Sequence, residues 1–203
     1  MKQCTLVSVL SLVVAGLVAA PAAQADFYLG GNFGFGFPSD HKGDDGSTIE
    51  LDDDIGGSVT FGYNFVPLRI EGEIVFRTSD VRRYEDVDGA VETATGDIQN
   101  LGVMVNAIYE LPLAQLFSPY VGAGFGGSRI SAERIRVGGE TLLDDSESVF
   151  AYQFMAGIQY EIARNAAVRL GYRVFSTRNP TWDDVRFDGS RLHIVEVGVR
   201  GTF

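Results

Sequence analysis

Apolar and polar residues alternate along most of the chain with a period of two, beginning at Phe27. In the first alternating segment the odd positions carry large apolar side chains and the even positions are mostly small or polar. The odd positions are Phe27, Leu29, Phe33, Phe35 and Phe37. Since successive side chains of a β-strand point to opposite faces, this pattern predicts a strand with one apolar and one polar face.

Seven further segments repeat this alternation, each predicting a strand of about ten residues, the length that a tilted membrane-spanning strand requires. Their apolar positions run from Ile55 to Phe65, Leu68 to Phe76, Leu101 to Leu111, Val121 to Phe125, Phe150 to Tyr160, Val168 to Val174 and Val195 to Phe203. The predicted fold is therefore all-β, an eight-stranded antiparallel up-and-down transmembrane β-barrel.

A soluble lipocalin-like barrel would show the same alternation, but with its apolar face inside and its charged face in water. In this chain the polar face is rich in Gly, Asn and Gln and balances arginine against glutamate. An enclosed interior must pair its charges or lose stability, whereas a soluble exterior is usually rich in lysine. The predicted interior charge network comprises Arg69, Glu71, Glu73, Arg77, Glu110, Glu161, Arg169, Arg173, Glu196 and Arg200.

The connections between the predicted strands alternate in length, which also favours a transmembrane barrel with short periplasmic turns and long outer loops. The short connections are Val66-Pro67, Pro112 to Pro119 and Ala163 to Ala166. The long connections are Pro38 to Asp54, Asp80 to Asp97, Arg129 to Glu147 and Ser176 to Ser190. An even number of strands places both termini on one side, which we expect to be the periplasmic side.

Aromatic residues fall near both ends of the predicted strands, as in the aromatic girdles of membrane barrels. The residues expected near the periplasm are Phe27, Phe65, Tyr109, Tyr160 and Phe203. Those expected near the outer surface are Phe37, Phe76, Phe150 and Tyr152.

The first 25 residues have the features of a secretory signal peptide. Lys2 precedes an apolar run from Leu6 to Ala20 that is too short to span a bilayer, and a small-x-small motif ends at Ala25. We predict cleavage between Ala25 and Asp26, which leaves residues 26–203 as the barrel domain. Cys4 lies within the predicted signal peptide, so the mature chain needs neither a disulfide nor a cysteine-ligated metal.

The chain is acidic, with a formal net charge of −11 at pH 7. Nucleic-acid binding needs basic patches that displace phosphate counterions, so this charge argues against a nucleic-acid partner. It also argues against attachment to an anionic membrane surface through a polybasic stretch.

Several segments resemble the small outer-membrane barrels that include opacity-type surface proteins, porin-like surface antigens of alphaproteobacteria and the transmembrane part of OmpA. The segments that carry this resemblance are residues 119–126 (PYVGAGFG), 150–160 (FAYQFMAGIQY), 169–173 (RLGYR) and 193–203 (HIVEVGVRGTF). The resemblance implies location in the cell outer membrane and implies that the barrel-assembly machinery reads Phe203 as an insertion signal. The chain ends at Phe203, so we do not expect the peptidoglycan-binding domain that follows the OmpA barrel.

Two interpretations of the inward charges remain open. Arg69 and Glu110 fall near the periplasmic end of neighbouring strands, and Glu161 and Arg169 flank one short turn. These groups could satisfy each other in a plugged core, because an eight-stranded barrel is just wide enough for side chains. They could also line a narrow ion path, since the inward glycines would leave room for water.

Carboxylates crowd the first long connection (Asp40, Asp44, Asp45, Glu50, Asp52, Asp53 and Asp54) and the third (Asp144, Asp145 and Glu147). Such clusters suit calcium, which could bridge to lipopolysaccharide phosphates, but no EF-hand pattern occurs and a solvated, self-repelling loop is the alternative. Trp182 and Phe187 could contact a partner or pack on the barrel rim. The sequence assigns no metal-binding or cofactor-binding residue.

Catalysis would have to depend on the two histidines, His41 and His193. Some outer-membrane barrels modify lipid with a His, a Ser and a carboxylate near the outer rim. His193 has outward parity without an outward carboxylate to orient it, whereas His41 lies in a loop rich in acids and serines. We assign no catalytic residue and expect no enzymatic activity.

The function expected from these patterns is a structural or surface role, in envelope integrity or in surface interaction through four acidic loops, which could bind a host or surface ligand. The alternatives are a small porin-like channel and, third, a lipid-modifying enzyme that depends on His41.

Overall fold

The computed structural model describes residues 27–38, 41–42, 48–85, 91–111, 117–137, 140–178, 181–182, 185–186 and 191–203. Eight long strands make up most of these residues. They are β1 (Phe27–Pro38), β2 (Thr48–Phe65), β3 (Leu68–Glu85), β4 (Val91–Glu110), β5 (Phe117–Val137), β6 (Glu140–Ala163), β7 (Ala166–Thr177) and β8 (Arg191–Thr202). Three two-residue strands, His41–Lys42, Thr181–Trp182 and Val185–Arg186, lie outside this set. Within the described residues no helix is long and apolar enough to cross a bilayer.

The eight strands form a closed antiparallel barrel in which each strand pairs with its neighbours in sequence. The first and last strands close it, since β1 pairs with β8 from Tyr28↔Thr202 to Pro38↔Leu192 while its other edge pairs with β2. Closure leaves no unpaired sheet edge along this stretch, which is the condition for a sheet to lie in lipid. The predicted fold class is confirmed.

The two ends of the barrel differ in their connections. The turn end carries residues 66–67 and 164–165 and the start of the connection after β4, where the Leu111 amide donates to the Pro119 carbonyl at 2.8 Å. The first and last strands also meet at this end, where the Phe203 amide donates to the Phe27 carbonyl at 3.0 Å. We call the opposite end the loop end; β1 and β3 end there, and β2 and β4 begin there. The turn end is the end that the sequence assigns to the periplasm.

The faces of the barrel follow the predicted parity. The outward positions expose large apolar side chains, among them Phe35, Phe61 and Phe125, which are 53%, 52% and 61% exposed. The inward positions next to them are buried, although many are polar or charged. This distribution is the inverse of that of a soluble barrel, and it suits an apolar surrounding medium.

The predicted strand and loop boundaries at the loop end were wrong. β2 to β6 contain 18 to 24 residues rather than about ten, whereas β1, β7 and β8 contain 12 each. Most of the residues predicted as three long loops therefore continue the strands. The alternation of apolar and polar residues marks only the part of a strand that lies in an apolar medium. Backbone hydrogen bonding between strands needs no apolar side chains, so the strands continue beyond that part.

Candidate functional site: the barrel interior

A layer of charged and amide side chains crosses the middle of the lumen. We call it the charge layer and define it as Glu73, Asn106, Gln153, Arg173 and Glu196. Arg173 of β7 contacts Glu73 of β3 at 2.8 Å and Glu196 of β8 at 3.1 Å. The amides of Asn106 and Gln153 each donate to Glu73 at 2.8 Å. Since β3 and β7 lie on opposite sides of the barrel, these contacts tie the two walls together through its interior.

Toward the turn end, a second group surrounds Glu71. The Tyr28 hydroxyl donates to Glu71 at 2.8 Å, and an Arg169 guanidinium nitrogen lies 3.8 Å from the same oxygen. Arg169 also donates from Nε to Asn32 at 2.7 Å. Arg169 therefore contacts residues of β1 and β3, and not Glu161, the residue that flanks the same turn in the sequence.

Four predicted network residues meet at the turn end itself. Arg69 contacts Glu110 at 2.8 Å, and Arg200 contacts Glu110 at 3.5 Å and Glu161 at 3.3 Å. The Tyr28 ring lies near both guanidinium groups, 5.5 Å from that of Arg69 and 5.4 Å from that of Arg200. These cation–π contacts and ion pairs occupy the lumen where the short turns begin.

At the loop end, Arg77 forms an ion pair with Asp54, which also accepts a hydrogen bond of 3.1 Å from Ser79. The sequence placed Asp54 in an acidic loop, and that placement was wrong, since its side chain is buried inside the barrel. Parity could have identified it, because Asp54 directly precedes the outward Ile55.

An apolar cluster that the sequence interpretation missed lies in the lumen on the loop-end side of the charge layer. We call it the apolar layer, and it consists of Val75, Met104, Ala151, Phe175, Leu192 and Ile194. Each of these side chains is 8% exposed or less. The available signal was the inward parity of Phe175, Leu192 and Ile194, which contradicts a purely polar inner face.

The two layers are built from the same five strands with an offset of two residues. On β3, β4, β6, β7 and β8 a charge-layer residue is followed, two positions closer to the loop end, by an apolar-layer residue. The pairs are Glu73 with Val75, Asn106 with Met104, Gln153 with Ala151, Arg173 with Phe175 and Glu196 with Ile194. Because a two-residue step keeps a side chain on the same face of a strand, both layers point into the lumen.

The inward glycines make space for aromatic rings. A Cβ added at Gly62 would overlap the Tyr28 ring, and one added at Gly171 would lie 2.5 Å from the Tyr120 hydroxyl. Both tyrosines are buried, and Tyr120 packs with Ile108 and Met155. At these positions the space that the sequence left open for water is filled by side chains.

Of the two histidines, only His193 has a described side chain. Its Nδ1 lies 2.6 Å from the hydroxyl of Tyr172, on the outer face of the barrel. His41, Trp182 and Phe187 lie outside the described side chains, as does the predicted signal peptide. Of the acidic residues predicted in the first and third loops besides Asp54, only Glu147 has a described side chain, at an inward position of β6. Among the side chains that are described, no three potential metal ligands are grouped to hold an ion.

Closure, outward apolar faces and a paired interior are the features of an outer-membrane barrel, and comparison with known families agrees. The family model of the outer membrane protein beta-barrel domain matches residues 8–200. The chain belongs to this family. It is an outer-membrane protein, and its predicted location is confirmed.

The outer membrane protein PagN of Salmonella typhimurium strain LT2 is 29% identical over 133 residues, which cover 58% of this chain and 55% of PagN. This chain therefore aligns with about half the length of that relative. Solved structures that share the fold include the following two. Neisserial surface protein A has a TM-score of 0.60 at 19% identity, covering 87% of this chain and 97% of its own. OprG of Pseudomonas aeruginosa has a TM-score of 0.57 at 17% identity, covering 88% and 96%.

Proposed function

We propose that this protein is a closed structural barrel of the outer membrane, without catalytic or channel activity, that contributes to envelope integrity or to surface interaction through its loops. The observation that supports this best is Arg173, which joins Glu73 and Glu196 across the lumen beneath the apolar layer. An ion that entered the lumen would have to displace paired charges and cross an apolar constriction, and both steps are costly.

The two layers support each other in this role. The apolar layer keeps water of the loop end away from the charge layer, so the ion pairs lie in a medium of low dielectric constant, where their attraction is strong. The ion pairs in turn hold opposite walls together, which keeps the apolar side chains in contact. A porin-like channel remains the alternative function. Its sequence argument depended on the inward glycines, and at Gly62, Gly157 and Gly171 the space is occupied by Tyr28 or Tyr120.

Planar-bilayer recording of the refolded protein tests the proposal. We expect no stable unitary conductance from samples whose gel mobility changes on heating, the sign of a folded barrel. Reproducible conductance steps from the folded form would overturn the closed-barrel proposal. A heated sample is the control, because steps that persist after unfolding cannot come from the barrel.

The absence of catalysis is part of the same proposal, and His41 is the residue through which it is tested. We expect a strain that carries His41→Ala to have the lipid composition of the parent strain. Loss of a lipid modification in that strain would favour the enzyme alternative.

A further inference from the structure

Charges are segregated between the two faces of the barrel. Every carboxylate with a described side chain occupies a position of inward parity: Asp54, Glu71, Glu73, Glu110, Glu147, Glu161 and Glu196. The described charged side chains on the outside are arginines, namely Arg129, Arg164, Arg178 and Arg191, and all four are exposed. In a chain with 27 acidic and 16 basic residues, an outer surface that is cationic over its described part is unexpected.

Three of these arginines lie close together at the loop end, on the side of the barrel formed by β5 to β8. Arg129 of β5 is opposite Ser148 of β6, and the amide of Arg178 donates to the Phe150 carbonyl of the same strand at 2.9 Å. Arg191 of β8 is opposite Ser176 of β7, which is itself opposite Tyr152 of β6. We call Arg129, Arg178 and Arg191 the arginine crescent.

The crescent lies at the height of the outer aromatic girdle. The Arg178 guanidinium lies 5.5 Å from the centre of the Phe150 ring, which is exposed on the outer face. Outward aromatic rings mark the boundary between the acyl chains and the headgroups. Arginines that share their level therefore lie where lipid phosphates are found, and a planar guanidinium binds phosphate oxygens through two parallel hydrogen bonds.

We propose that the arginine crescent is a binding site for the phosphate groups of an outer-leaflet glycolipid, the lipid A part of lipopolysaccharide. The spacing supports several contacts, because strands lie about 4.8 Å apart. Arg129 lies on β5, Arg178 directly after β7 and Arg191 on β8. The acyl chains of such a lipid would lie against the apolar side chains below the crescent, among them Phe154 and Tyr172. This site lies outside the lumen, so it does not depend on whether the barrel is closed.

The test uses the protein isolated from outer membranes with detergent and EDTA, so that divalent ions bridging to loop carboxylates cannot retain the lipid. Lipid A retained per barrel is measured, together with binding of added lipid A and of dephosphorylated lipid A in phosphatidylcholine nanodiscs. We expect each of Arg129→Gln, Arg178→Gln and Arg191→Gln to weaken lipid A binding roughly fivefold, and the triple variant on the order of a hundredfold.

Arg164→Gln is the matched control, since Arg164 is an exposed arginine in a turn at the other end of the barrel. It removes the same charge, and we expect it to leave lipid A binding unchanged. Each variant is first shown to change gel mobility on heating, and the single variants serve if the triple variant does not fold.

Three results would overturn the proposal. The first is equal binding of phosphorylated and dephosphorylated lipid A by the wild-type barrel. The second is an effect of Arg164→Gln as large as that of the crescent variants, which would indicate a response to net charge alone. The third is displacement of lipid A by millimolar inorganic phosphate, which would indicate a site for free anions.

Discussion

The charge layer and the apolar layer occupy neighbouring levels of the same lumen, on the same five strands, and yet they hold the barrel in different ways. In the charge layer a few directional contacts join opposite walls of the barrel. Three of them converge on Glu73, which accepts hydrogen bonds from Arg173, Asn106 and Gln153. In the apolar layer six side chains fill space without directional bonds.

The difference concerns what each layer loses when one side chain is removed. Loss of the Glu73 carboxylate removes one acceptor from each of three buried donors, those of Arg173, Asn106 and Gln153. It leaves Arg173 with Glu196 as its remaining ion-pair partner, and this penalty is large in a medium of low dielectric constant. Truncation of a space-filling side chain such as Phe175 leaves a cavity, and the neighbouring side chains can partly relax into it. We therefore expect the charge layer to be the more sensitive of the two. Substitutions of Glu73 and Phe175 test this order, and a third substitution, of Gly157, measures the effect of adding a group to the lumen outside both layers.

Glu73→Ala should have the largest effect, a loss of about 3–5 kcal/mol of unfolding free energy, because it leaves Arg173 and two amides without their shared partner. Urea unfolding of the barrel in phospholipid vesicles, followed by the gel shift between folded and unfolded forms, measures it. Glu73→Gln is the matched control, since it keeps an acceptor oxygen and should cost less. A loss from Glu73→Ala smaller than that from Phe175→Ala would reverse the expected order.

Phe175→Ala should cost roughly 3 kcal/mol, the lower part of the range for truncating a buried phenylalanine. The ring is 2% exposed and lies directly above Arg173 on β7. Phe175→Leu keeps most of the volume and should cost less than about 1.5 kcal/mol. If both variants unfold at the urea concentration of the wild type, the apolar layer does not stabilise the barrel.

Gly157→Ala should have the smallest effect of the three, about 1–3 kcal/mol from overpacking. An added Cβ would overlap the Leu170 carbonyl oxygen and approach the Tyr120 hydroxyl to 2.7 Å. Gly102→Ala is the matched control, because it is also an inward glycine, and its nearest neighbours would be at 3.7 Å, an ordinary contact. Equal unfolding curves for the two variants would contradict the view that the glycines make room for the tyrosines.

Much of the fold could be predicted because the alternation of apolar and polar residues is a local property of each strand. The apolar side chains had to face lipid on every strand, so a two-residue alternation fixed the face of Phe61, Phe125 and Phe154 without reference to any other strand. The eight-strand barrel and its location in the outer membrane followed from that alternation and from the family resemblance. Cleavage after Ala25 and the role of Phe203 as an insertion signal stay predictions.

The loop end was predicted less well, because alternation loses its apolar contrast where strands leave the membrane. Residues 48–54 combine four acidic residues with only two large apolar ones, Ile49 and Leu51, and such a segment is compatible with either a loop or a paired strand. In the structure this segment is part of strand β2 and pairs with β3, and the Asp54 side chain points into the barrel, where it contacts Arg77.

Parity in the sequence determined the inward face of each membrane-spanning strand, since parity is a property of each strand alone. The sequence interpretation nevertheless overlooked the apolar side chains on that face, such as Phe175 and Ile194. The sequence by itself could not determine which of the inward side chains meet. Arg173 and Glu73 are 100 positions apart, and Arg169 and Asn32 are 137 apart. Such contacts depend on the tilt and stagger with which eight strands close, because these set the level at which each side chain reaches the axis. Only the closed barrel could therefore decide that Arg169 contacts Glu71 rather than Glu161 and that an apolar layer lies above the charges.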